Sequence, residues 1–196
     1  HFRLVPKNKE VVISDEVCDK AKDALYKIWT KAIDDDGFNA LIITAGLDYR
    51  QANLIRAYVK YLRQTKYPLS IDYTVQVLLD YPEITKRLVE LFDVKFNPNL
   101  SARDHKRADG LESDIREALG SIKGINEDRA IRSLFGLLLA TLRTNYYQID
   151  RATGQPKDNI SLKLKSSEIA DLPSPKPFAE IFVSYCQYFT LWVQTI

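Results

Sequence analysis

The chain has 196 residues, of which 45% are apolar and 28% charged, enough for one sizeable core or a helical body with a smaller appendage. Its 28 basic and 26 acidic residues are well mixed and leave a net charge of +2, which gives no global field for nucleic acid or a membrane surface. Cys18 and Cys186 fit neither a zinc spacing nor a disulfide framework, and no apolar run approaches the roughly 20 residues of a spanning helix, so a reducing, cytoplasmic setting is expected.

A chain that starts at His1 and contains no methionine reads as a piece of something larger. Residues 1–13 hold two short apolar runs around Pro6, as in a hairpin or the end of a preceding sheet. Ser14 then caps a helix with Val17, Ala21, Ala24, Leu25, Ile28 and Trp29 at helical spacing, and Trp29 is expected to pack. Asp34, Asp35 and Asp36 before Gly37 read as a solvated turn, because a calcium loop alternates its ligands and ends in a distant glutamate. Asp48 caps a helix whose polar side carries Arg56, Lys60 and Arg63. That set is suited to solvent, to ion pairs with neighbours, or to an anion.

Ser70 and Pro82 open two further helices, and the mixed charges of 101–120 suit an exposed helix steadied by local pairs. The dominant stretch is 126–148. Asn126 is a candidate N-cap, Glu127 and Asp128 favour the first turn, and Ile131, Leu134, Phe135, Leu137, Leu138, Leu139 and Leu142 cover more than one stripe. A helix enclosed on most sides is expected, carrying Arg143, Asn145, Tyr146, Tyr147 and Gln148 at its exit. Beyond it, 150–159 reads as a loop, 160–164 alternates like a strand, 172–177 is proline-stiffened and 178–183 reads as a second strand. The expected fold is mainly α: a bundle-like helical body over 14–148, followed over 149–196 by a few strands at the edge of an α/β domain.

Arg143, Asn145 and Tyr146 are the one constellation singled out. A guanidinium and an amide could orient a substrate carboxylate; equally, they could satisfy the last carbonyls of the helix and pin it to the strands. His105 sits in a charged run without a second ligand, so no metal site is expected, and no catalytic triad can be assembled around it. The seven glycines are scattered and form no phosphate-binding fingerprint.

Five runs in order resemble one family: residues 35–41 (DDGFNAL), 45–50 (AGLDYR), 54–64 (LIRAYVKYLRQ), 141–148 (TLRTNYYQ), and 172–177 (LPSPKP) with 180–183 (EIFV). The family is the large-subunit class of bacterial NAD-dependent glutamate dehydrogenases, and the likeness runs from Ser14 to Val183. It implies that residues 1–13 end an ACT-like regulatory domain, that 14–148 is a helical linker, and that the strands open the substrate domain. The implied parent reaction converts L-glutamate, NAD and water to 2-oxoglutarate, ammonia and NADH in a homo-oligomer. The catalytic lysine and the dinucleotide turn would lie downstream, so this segment is expected to have no catalytic or cofactor-binding residues. It would be inactive alone, with the remainder of the same dehydrogenase chain as its partner. The tail from Ser184 to Ile196 departs from the family pattern. A free-standing helical interaction module without enzymatic activity is the alternative reading.

Overall fold

The computed structural model describes residues 14–185, apart from the Arg103 side chain, and the backbone of 190–195. The expectations for 1–13, and for residues 186–189 and 196 of the tail, lie outside the described residues.

Local signals set most helix starts. In α1 (Asp15–Trp29) the Ser14 hydroxyl accepts from the Val17 amide, and a 3-10 turn at Gly37–Ala40 leads into α2 (Leu41–Thr44). Asp48 and Gln51 form a reciprocal capping box on α3 (Tyr49–Leu62), satisfying two donors that the first turn would otherwise leave free. Ser70 caps α4 (Ile71–Asp80), and Pro82 occupies the first turn of α5 (Pro82–Phe96), where its missing N–H costs nothing. A single turn, α6 (Ala102–His105), precedes α7 (Arg107–Gly120) and α8 (Ile125–Ala140).

The strands β1 (Thr141–Thr144), β2 (Ile160–Leu164), β3 (Ala179–Ser184) and β4 (Thr190–Thr195) form one antiparallel sheet in sequence order. Its inner face supplies Ile160, Leu162, Leu164 and Phe182 to the same apolar cluster that holds Leu54, Leu78, Leu91 and Phe92 from the helices. The α8 residues Ala130, Ile131, Leu134, Phe135, Leu137 and Leu138 are all buried in it, as expected for an enclosed rod. Truncating one of these leucines to alanine removes its transfer energy and leaves a cavity, a cost of about 3 kcal/mol.

Four expectations are corrected. The long helix does not run to Gln148: it stops at Ala140, and 141–144 is a strand, because β2 takes over the backbone pairing, with the Lys165 amide donating to the Ala140 carbonyl at 2.8 Å. Its N-cap is Gly124, not Asn126. Trp29 does not pack but is 87% exposed, beside exposed Leu25 and Tyr26. The aspartate run is not simply solvated: Asp36 holds the fully buried Arg56, and Asp34 pairs with Lys60 at 2.6 Å.

Candidate functional site

The corner where α8 becomes β1 organises the polar chemistry. Thr141, the first strand residue, donates its hydroxyl to the Leu137 carbonyl, leaving its oxygen to accept from the buried Tyr58 hydroxyl at 2.8 Å. One turn further along α3, the buried Tyr61 hydroxyl donates to the Glu180 carboxylate at the start of β3. Two tyrosines on one helical face thus pin two strands. Burial raises the pKa of both phenols, and the Glu180 carboxylate raises that of Tyr61 further. Glu180 is itself fully buried, and among the described residues neither its Oε1 nor the Ser166 Oγ has a hydrogen-bond partner.

The three residues singled out by sequence do not converge. The Asn145 side chain donates to the Asn159 carbonyl and side-chain oxygen and accepts from the Ser161 amide, joining the exit of β1 to the entry of β2. Tyr146 turns inward: its ring meets Phe92 edge-on at 5.3 Å, and the Arg50 guanidinium stacks 4.7 Å from its centroid while donating to the Tyr146 carbonyl at 2.6 Å. Arg143 instead faces outward, opposite Lys163 on the far face of the sheet.

Beside the inner cluster lies a hollow of about 330 Å³ lined by Arg50, Leu54, Asp93, Tyr146, Tyr147 and Pro156. The Tyr147 hydroxyl donates to Asp93 at 2.6 Å and so fixes one wall to α5. Sequence reasoning did not single out Arg50, Tyr58, Tyr61, Asp93 or Glu180. Only Glu180 left a usable signal: it is two residues from Phe182, so strand alternation puts both on the core face.

Among the described residues no group of three His, Cys, Asp or Glu side chains could hold a metal ion. An antiparallel sheet also lacks the parallel strand–turn–helix unit that seats a dinucleotide. The corner is suited to fixing helices to a sheet, and the outward face to attracting anions.

The matches to known proteins divide the chain near the middle of its helices. A family model described as glutamate dehydrogenase, helical motif 3, matches residues 33–98. A second, described as bacterial NAD-glutamate dehydrogenase, catalytic domain, matches residues 114–193. The chain belongs to the bacterial NAD-glutamate dehydrogenase family. It is 40% identical over 161 residues to the NAD-specific glutamate dehydrogenase of Halomonas elongata, 38% over 165 residues to that of Pseudomonas aeruginosa, and 36% over 162 residues to that of Mycobacterium tuberculosis. These alignments take in 82–83% of this chain but only 10% of each relative, so the chain spans about a tenth of the length of the glutamate dehydrogenases it matches. The catalytic-domain match begins inside α7 and takes in α8 with the strands, joining by sequence the elements that the corner joins by hydrogen bonds. It also continues past Val183, where the sequence alone reads as departing from the family.

Proposed function

We propose that this segment braces the catalytic part of an NAD-dependent glutamate dehydrogenase, linking a regulatory region to the opening strands of the substrate domain. The parent reaction would be oxidative deamination of L-glutamate to 2-oxoglutarate and ammonia, with NAD taking the hydride. The reading is carried by one observation: α3 is tied through Tyr58 to Thr141 on β1 and through Tyr61 to Glu180 on β3, inside a core shared by helices and sheet. A movement of α3 must therefore move the strands. In this reading Asn145 and Tyr146 are bracing residues, since their polar groups are spent on β2 and Arg50 rather than turned to a ligand.

The first test is turnover. The 196-residue chain, given L-glutamate and NAD, forms no NADH, since the reading places the cofactor turn and catalytic lysine elsewhere in the parent. The second is unfolding: helical far-ultraviolet and aromatic near-ultraviolet signals are lost in one coincident transition. NADH formation by this chain would overturn the placement of the chemistry. Helices that melt apart from the sheet would overturn bracing.

A further inference from the structure

The outer face of the sheet carries a feature that bracing does not use. Strict alternation from the inward Thr141 would turn Arg143 inward as well. The strand instead shifts register between Thr141 and Arg143, with Leu142 as the extra residue, and Arg143 comes to lie opposite Lys163 on the outer face. Bulges re-aim side chains in this way. Like charges directly opposed across two strands repel each other. Among the described residues, neither the Arg143 nor the Lys163 side chain has a carboxylate or other hydrogen-bond partner to offset that repulsion.

These two residues line an open hollow of about 900 Å³ together with Lys165, Lys176, Leu142 and Phe178. The lining has four cations and no carboxylate, in a chain whose charges are otherwise nearly balanced. Lys165 is paired with Glu168 and Lys176 donates to the Ile169 carbonyl, so both are held at the rim, while Arg143 and Lys163 remain available. We propose that this hollow binds a small multivalent anion, a carboxylate or phosphate compound held between the Arg143 guanidinium and the Lys163 ammonium. A guanidinium fork beside a mobile ammonium can grip two anionic groups at once. Bound charge would turn cross-strand repulsion into a bridge between β1 and β2. The proposal does not depend on the bracing role.

The test uses the whole chain at low ionic strength, with citrate and pyrophosphate titrated separately by calorimetry and followed by thermal unfolding. At least one anion binds with one-to-one stoichiometry and raises Tm. Arg143→Gln and Lys163→Gln each weaken it by about tenfold or more, as expected for loss of one charge-assisted contact, whereas Lys123→Gln, an exposed lysine on the α7–α8 turn, leaves it unchanged. Without anion, Lys163→Gln raises Tm, because the repulsion is relieved. Binding of citrate alone assigns a carboxylate ligand, and binding of pyrophosphate alone a phosphate compound. The proposal is overturned if neither anion binds, or if binding survives both substitutions undiminished.

Discussion

Arg56 is the residue on which the helical half turns. It is fully buried, yet each arm of its guanidinium is used: Nε and Nη2 fork onto the Asp36 carboxylate at 2.7 Å, while Nη1 meets Asn53 and Nη2 also meets Asn39 at 2.9 Å. Phe38 lies under the group, with its ring centroid 5.4 Å away. A charge so enclosed is tolerated only while its partners stay in place, and the partners likewise depend on it. Replacing Arg56 with alanine is expected to cost about 3 kcal/mol in urea unfolding, at the lower end for a broken buried pair because Asp36 keeps some solvent contact. Arg56→Lys should fall between the two, keeping the charge but losing the fork. An unchanged midpoint for Arg56→Ala would show that the turn at 34–36 is held by something else. The sequence displayed Arg56, Lys60 and Arg63 at helical spacing but could not tell a solvated face from a paired one, because Asp36 lies twenty residues upstream and only tertiary packing brings it near.

At the scale of elements, the β1 bulge makes the most exposed prediction. Deleting Leu142 would remove the bulge yet leave Arg143 opposite Lys163, since Arg143 would then directly follow the inward Thr141 and simple alternation turns it outward. No guanidinium is forced among apolar neighbours, which would cost several kcal/mol, a large part of a small domain's stability, so the deletion variant should keep its cooperative transition. Leu142→Thr, at a position 47% exposed, keeps the bulge and should stay within about 0.5 kcal/mol of the parent chain. Loss of the sharp transition in the deletion variant would mean that the extra residue is itself needed for β1 to pair with β2. The same element shows where sequence reading succeeded and where it stopped. Asp48, Ser70 and Pro82 announced their helices, because capping is local chemistry, and alternation located β2 for the same reason. The end of α8 was not legible: Leu134, Leu138 and Leu142 keep perfect helical spacing, and no glycine or proline marks the stop. The helix yields at Thr141 to partners in 160–165 that no local window contains. Trp29 misled in the opposite direction, since apolar spacing on α1 says which residues share a face but not whether anything covers it.

For the molecule as a whole, the tyrosines that tie helices to sheet make stability depend on alkali. Tyr58, Tyr61 and Tyr146 are buried, and burial holds each phenol well above its ordinary pKa. A phenol is neutral while protonated, so the folded state keeps a proton that the unfolded chain releases near pH ~10. Below that pH the contribution is fully present; above it the unfolded state alone gains by ionising, and stability falls until the folded phenols also titrate. Each such group removes about 1.4 kcal/mol per pH unit, so three acting together remove roughly 4 kcal/mol per unit. A domain of ordinary stability, about 5–15 kcal/mol, should then unfold within a few units above pH ~10. Exposed tyrosines such as Tyr26 and Tyr185 should ionise gradually, whereas the remaining tyrosinate absorbance should appear together with the loss of helical dichroism in a single steep step. Tyr58→Phe and Tyr61→Phe, each removing one ionisable link, should make that step shallower even where they lower stability at neutral pH. Tyrosinate absorbance that reaches its full value while dichroism stays intact would mean that these phenols too are open to solvent in the folded chain, and the coupling of α3 to the strands would lose its physical basis.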